Sequence, residues 1–152
     1  MKRTEKQLIN ELKLKLPSYS VNESAARAMV AAFCAQNDPK TGELADIKCA
    51  VSEAVTNCIV HAYRDTVGII YITVKLYSDR SLQIEIRDRG CGIEDVSLAR
   101  QPLYTTDAAS ERSGMGFTVM ESFCDGIRVA SSVGKGTSVT LIKRLEIRPS
   151  FT

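Results

Sequence analysis

The sequence has little that would support a metal centre, a disulfide framework or a membrane anchor. Its five cysteines are far apart and no two form a C-x-x-C pair, which disfavours both a zinc site and a set of disulfides. The odd number favours reduced thiols and a cytoplasmic location. Polar and charged residues from Asn10 to Lys15 interrupt the segment after the basic start, and no apolar run approaches a membrane span. We expect neither a signal peptide nor membrane contact.

Charge of one sign is also lacking. The chain has 20 basic and 18 acidic residues, a formal net charge of +2, and no basic stripe interleaved with aromatic residues, so direct nucleic-acid binding is not expected. With 152 residues, 44% of them apolar and 25% charged, the composition is typical of one soluble globular domain with a core. We predict a single domain over residues 1–146 and a disordered tail over residues 147–152.

Periodicity predicts strands separated from helices. Alternating or β-branched runs predict strands over residues 8–16, 69–77, 82–87, 127–132 and 137–145, and apolar residues at helical spacing predict helices over residues 25–36, 43–63 and 116–123. Ser20 and Glu23 have the spacing of a capping box before the first helix. Turns at Ser78–Ser81 and Val133–Gly136 predict two hairpins. This order favours an α+β two-layer sandwich, with a mixed, mostly antiparallel sheet and helices on one face.

Two glycine clusters bracket a polar segment without clear periodicity. Asp88, Gly90 and Gly92 follow a predicted strand, and Ser113, Gly114 and Gly116 precede a predicted helix. Glycines at such junctions let the backbone approach a ligand closely, which suggests a nucleotide site with a mobile cover, although ordinary surface turns have the same pattern. Neither G-x-G-x-x-G in a βαβ unit nor G-x-x-x-x-G-K-[ST] is present, so the Rossmann and P-loop folds are not supported.

The long predicted helix carries a polar stripe. Glu53, Asn57 and His61 recur every four residues and therefore lie along one face. A carboxylate and an amide one turn apart can hold a water, a magnesium ion or both. A solvated polar face has the same spacing, and the single histidine is still less diagnostic.

Four features now occur in a fixed order: Glu53-x-x-x-Asn57, Asp88-x-Gly90-x-Gly92, Gly114-x-Gly116 and Gly136-Thr137. In this order they resemble the ATPase superfamily of gyrase, Hsp90, histidine kinases and MutL, which has the Bergerat ATP-binding fold. Within it, the segments 51–57, 87–95, 99–106, 111–117 and 133–137 resemble the bacterial anti-sigma factor serine kinases. The resemblance extends from about residue 14 to the last predicted strand.

The resemblance implies a role for each matching residue. Asp88 would accept a hydrogen bond from the adenine amino group with Thr137 nearby, and Gly92 would leave room for the base. Asn57 would ligate Mg²⁺, and Glu53 would be the general base that takes a proton from a substrate serine. Amides at a helix start would hold phosphate, and a cation in the cover would reach the γ-phosphate. The implied residues on the phosphate side are Ser113, Gly114, Gly116 and Arg112, and Gly90 joins those on the base side.

The resemblance also implies partners. Members of this family act as homodimers that bind a sporulation sigma factor and, with ATP and Mg²⁺, phosphorylate a serine of an anti-anti-sigma factor. Arg27 and Glu111 are then candidates for partner contacts. Without the resemblance, Arg27 is interpreted as a solvated surface charge. The exposed edge of the first strand is one possible dimer surface.

Two alternatives use the same fold. The chain could be the catalytic domain of a histidine-kinase-like protein, but no segment resembles a phosphoacceptor helix and His61 lies inside the helix of the ATP site. It could instead be a module that binds ATP without transferring phosphate, against which Glu53 is a weak argument. A gyrase- or Hsp90-like ATPase would need further domains.

Overall fold

The computed structural model describes residues 6–101 and 116–147. Within them, one five-stranded sheet is covered on one face by helices, which confirms the α+β class. All its strand pairings are antiparallel, in the order β1-β2-β3-β5-β4, where the prediction allowed a mixed sheet. The strands are β1 Leu8–Pro17, β2 Ile69–Tyr77, β3 Ser81–Arg87, β4 Gly126–Ser132 and β5 Gly136–Arg144, and the helices are α1 Asn22–Cys34, α2 Thr41–Asn57, α3 Val96–Ala99 and α4 Gly116–Phe123.

The core lies between the sheet and helices α1, α2 and α4. Alternate residues of β2 and β3 point into it, and the helix residues that face them are also buried, so the predicted periods of two and of three to four are both satisfied. The fully buried members include Ile70, Ile72, Val74, Leu82, Ile84, Ile86, Ile47, Val51 and Val55. Burial of each such side chain contributes roughly 1.5–3 kcal/mol, so this layer is what holds the helices on the sheet.

Helix α1 begins three residues before the predicted range of 25–36, and one residue later than a cap at Ser20 would place its start. Its first residue is Asn22, and Ser20 contributes its carbonyl oxygen rather than its side chain, accepting from the Glu23 amide at 3.2 Å. The Glu23 carboxylate instead accepts a hydrogen bond from Ser52 of α2 and contacts Arg27 at 3.3 Å. The predicted capping box is therefore wrong, because Glu23 is used to join α1 to α2.

Helix α2 does not continue to Tyr63. It ends at Asn57 and is followed by a five-residue π-helical segment, Cys58–Ala62. His61 therefore lies in the π-helical segment, whereas Glu53 and Asn57 lie in the regular helix. The regular helical spacing on which the predicted stripe depends thus extends to Asn57 and not to His61.

Strand β1 lies at one edge of the sheet, paired on one side with β2. This confirms the predicted exposed edge. Leu8 and Ile9 at its start are 50% and 55% exposed. Of the predicted tail, only Ile147 lies within the described residues.

Among the helices that the structure describes, none has the length and apolar composition of a membrane span.

Gly68 packs closely against the Tyr63 ring. Its N–H donates to the Ser18 hydroxyl at 3.0 Å and its carbonyl accepts from the Ser18 amide at 2.9 Å. A Cβ on Gly68 would lie 2.2 Å from the Tyr63 ring. That ring is itself held, because the Tyr63 hydroxyl donates to the Ile69 carbonyl at 2.7 Å and accepts from the Arg89 amide at 2.6 Å.

We therefore expect Gly68→Ala to lower the free energy of unfolding by about 1–3 kcal/mol, because neither the backbone nor the ring can move aside. Gly42→Ala in α2 is the matched control, since no atom lies within 4 Å of its added Cβ, and we expect a gain of about 0.5–1 kcal/mol from helix propensity. Urea denaturation measures both. Equal stability of Gly68→Ala and wild type would contradict the expectation.

Candidate functional site

The site is built around the carboxylate of Asp88, the first residue after β3. Its Oδ1 accepts hydrogen bonds from the amides of Gly90 at 2.9 Å and Thr137 at 3.2 Å. The Cys58 thiol donates to Oδ2 at 3.6 Å. Asp88 is only 6% exposed. One carboxylate thus joins β3, the loop after it, the start of β5 and the π-helical segment.

This carboxylate is held in a partly dehydrated position. Burial raises the pKa of the Asp88 carboxyl above its usual value, and the hydrogen bonds from Gly90, Thr137 and Cys58 offset that shift only in part. Within the described residues, Oδ2 has only the thiol as a donor, and a thiol is a weak one. The carboxylate therefore retains acceptor capacity for an N–H donor such as the amino group of a purine, and the donor set fits the predicted adenine contact.

Two glycines beside Asp88 are required by close backbone approach. Gly92 has φ +78°, and a Cβ there would lie 2.2 Å from the Ser132 carbonyl oxygen. Gly90 has no room for a Cβ either, since it would lie 2.4 Å from the carbonyl oxygen of Ala62. That oxygen also accepts from the Cys91 amide at 3.2 Å. The loop after β3 thus packs closely between the π-helical segment and the β4–β5 hairpin.

Thr137 belongs to a short polar network on the other side of the loop. Its hydroxyl lies 2.8 Å from that of Ser131, which in turn accepts from the Ile93 amide at 2.7 Å. The Thr137 carbonyl accepts from the Asp88 amide at 2.9 Å. Thr137 therefore lies against Asp88, as predicted, and Ser131 fixes it there.

Asn57 and Gly116, predicted on the metal and phosphate side, lie next to each other. A Cβ on Gly116 would be 3.2 Å from Asn57 Oδ1 and 3.3 Å from Nδ2. Gly116 is the first residue of α4, so a helix start lies beside an amide oxygen. That arrangement suits a hard cation together with phosphate. Among the described residues no group of three or more His, Cys, Asp or Glu could hold a metal ion.

The other predicted residues divide into two groups. Glu53 is half-buried on α2, four residues before Asn57, and Arg27 lies on α1 with 41% of its side chain exposed, in an ion pair with Glu23. Glu111, Arg112, Ser113 and Gly114 lie outside the described residues. The helices that flank this segment are joined by Arg100 Nε and Glu121 Oε1 at 2.9 Å.

Sequence patterns missed three residues of the site: Cys58, Tyr63 and Ser131. The Tyr63 hydroxyl supports the Arg89 amide directly after Asp88. Proximity to Asn57 in the chain was the only signal for Cys58 and Tyr63, and nothing in its neighbourhood singled out Ser131. Each contacts the site from a different element, so only the folded structure brings them together.

Comparison with known proteins agrees with this fold. A family model of the histidine kinase-like ATPase domain matches residues 16–143. A relative from Caldanaerobacter subterraneus, called anti-sigma F factor, is 56% identical over 88% of this chain and 93% of its own length. Relatives of the same name from Priestia megaterium and Clostridium acetobutylicum are 51% and 49% identical, covering 90% and 92% of this chain and 93% and 97% of their own.

Among solved structures, the RsbU and RsbW domains of a Mycobacterium tuberculosis protein superpose with a TM-score of 0.69 and 23% identity, covering 95% of this chain and 35% of that one. This likeness shows the fold. The fold and the Asp88 site define a histidine kinase-like ATPase domain, and the chain belongs to that family. Within it, identities of 49% to 56% place the chain among the anti-sigma F factors.

The raised pKa of Asp88 has a consequence for stability. Because the folded state favours the protonated carboxyl, Asp88 contributes stability that is fully present below its ordinary pKa of 3.8 and is lost as the pH rises through the raised value. The free energy of unfolding of wild type, relative to Asp88→Asn, should therefore fall as the pH rises from about 4.

Urea denaturation between pH 4 and 7 measures this difference. The exposed Asp65 provides the control, because Asp65→Asn removes the same charge at a position that is not buried. A wild-type advantage over Asp88→Asn that grows with pH would show that hydrogen bonding, and not burial, dominates at Asp88.

Proposed function

We propose that this protein is an anti-sigma factor that binds ATP and Mg²⁺, inhibits a sporulation sigma factor and, as a protein serine kinase, phosphorylates an anti-anti-sigma factor. The observation that carries the proposed nucleotide binding is the buried Asp88 carboxylate. One of its oxygens accepts two backbone hydrogen bonds, and the other accepts only a weak one from a thiol. The relatives' shared name, anti-sigma F factor, supports the regulatory part.

The Asp88 geometry favours adenine over guanine. A carboxylate accepts hydrogen bonds, and adenine offers an amino group where guanine has a carbonyl oxygen. A carbonyl oxygen placed against a buried carboxylate would leave two acceptors facing each other, which is costly in a dehydrated site. Gly92, held at φ +78°, keeps side-chain atoms away from the base.

We assign metal binding to Asn57 and proton transfer to Glu53. Asn57 would ligate Mg²⁺ through its amide oxygen, and the neighbouring start of α4 at Gly116 would receive phosphate oxygens. Glu53, one helical turn earlier, would accept the proton of the partner's serine hydroxyl as that oxygen attacks the γ-phosphorus. Arg112 would neutralise charge on the γ-phosphate, with Ser113 and Gly114 beside it.

Partner binding is assigned to two positions. Arg27 extends from α1 with a partly exposed guanidinium, and its pairing with Glu23 orients it. Glu111 belongs to the segment between Arg100 and Glu121, whose ordering around phosphate would report the nucleotide state to a partner. The protein would act as a cytoplasmic homodimer.

The kinase activity is tested with labelled ATP, Mg²⁺ and a purified anti-anti-sigma protein. We expect label on a serine of the partner, and Glu53→Gln should lower the transfer rate by about 100-fold or more, as for loss of a general base, while ATP affinity is retained. Asp88→Asn should abolish ATP binding itself. The two variants thus separate chemistry from recognition.

Other outcomes favour the alternatives. Label on this protein instead of the partner would indicate a histidine-kinase-like activity. ATP binding without any transfer, in wild type and Glu53→Gln alike, would indicate a binding module. Retained ATP affinity in Asp88→Asn would refute the adenine assignment.

The dimer is tested at the edge of β1. Leu8 and Ile9 are exposed there, and strand addition would bury them. Leu8→Lys combined with Ile9→Lys should raise the dimer dissociation constant by at least about tenfold, as measured by sedimentation equilibrium. Val133→Lys, at a residue 67% exposed in the β4–β5 turn, is the control. A dimer unaffected by the double change would exclude this edge.

A further inference from the structure

The Cys58 thiol has no part in the functions assigned above, although it contacts the residue on which they depend. It directly follows Asn57 and begins the π-helical segment. Consecutive residues therefore serve the two ends of the site: Asn57 lies beside the start of α4, and Cys58 lies beside Asp88. Cys58 is 3% exposed.

The chemistry of the contact makes Cys58 a donor. An ionised carboxylate oxygen can only accept a hydrogen bond, so the thiol is the donor of this contact. The proton is directed at Asp88 Oδ2 over 3.6 Å. Because Oδ1 is already bonded to two backbone amides, the thiol determines how the second oxygen is held.

We propose that Cys58 is a positioning residue for nucleotide binding. Its thiol keeps the Asp88 carboxylate ionised and fixes the orientation in which Oδ2 accepts the amino group of adenine. The proposal rests on the proposed ATP binding. A thiol suits this task because it is a weak donor. It stabilises the carboxylate and leaves acceptor capacity on the oxygen for the amino group of the base.

The other groups around Asp88 do not take over this role. From the end of the π-helical segment, the Tyr63 hydroxyl is committed to Arg89 N–H and the Ile69 carbonyl. From the hairpin, the hydroxyls of Ser131 and Thr137 bond to each other. The guanidinium groups of the chain neighbours Arg87 and Arg89 lie over the Tyr71 ring, 4.8 and 5.0 Å from its centroid.

The test compares Cys58→Ala with Cys58→Ser, and with Cys34→Ala as the matched control. Cys34 is a fully buried cysteine of α1, so the same truncation there reproduces the packing loss alone. The dissociation constant for Mg-ATP is measured by titration calorimetry from pH 5 to 8, together with the urea midpoint of each variant.

We expect Cys58→Ala to weaken ATP binding about fivefold at pH 7, the effect of losing one weak hydrogen bond to a charged group. Removing a donor to the ionised carboxylate also favours its protonated form, so the loss of affinity on acidification should begin at a higher pH than in wild type. Cys58→Ser should restore both the affinity and the pH profile, and Cys34→Ala should leave both unchanged.

Two results would overturn the proposal. One is a Cys58→Ala variant with wild-type affinity and pH profile, and the other is an equal loss in Cys34→Ala, which would assign the effect to packing. If wild type itself does not bind ATP, the proposed function fails instead, and the two failures are thereby distinguished.

Discussion

The burial of the Asp88 carboxylate is the constraint on which the site depends. A buried carboxylate must be hydrogen-bonded, and here its donors come from separate elements: the loop after β3, the start of β5 and the π-helical segment. Satisfying one charge therefore fixes the relative positions of those elements. Among the described residues, Oδ2 has only the weak thiol donor of Cys58. That oxygen is therefore available to a ligand.

The π-helical segment Cys58–Ala62 is the second determinant. A regular continuation of α2 would direct its side chains and carbonyl groups differently. In the observed arrangement, Cys58 contacts Asp88 while the Ala62 carbonyl lies against Gly90 and Cys91. Tyr63, at the end of the segment, supports Arg89. A local change in helical winding thus places three contacts around the loop that follows β3.

The sheet and the helices provide the rigid support for these contacts. Lys143 of β5 bonds to Asp46 of α2 at 3.0 Å and to the Phe123 carbonyl of α4 at 2.8 Å, so the strand that carries Thr137 is tied to both helices of the site. Beneath this link, the β2–β3 side chains pack against α2. Sites on such elements hold their geometry better than sites on loops alone.

The sequence alone determined the strands and the class of fold, and it singled out the principal candidate site residues. Period-two and helical patterns reflect burial of one face, and burial of one face is a local property that survives without coordinates. Their spacing drew attention to Glu53 with Asn57 and to Asp88 with its glycines, and the resemblance to a known family supplied their expected roles. The tertiary structure decided what depends on neighbours distant in the chain. The Glu23–Ser52 bond displaced the expected capping box, the π-helical segment interrupted the predicted long helix, and the contacts of Cys58, Tyr63 and Ser131 arise only where separate elements meet. Such contacts are set by packing geometry, and no periodic pattern in the chain records them.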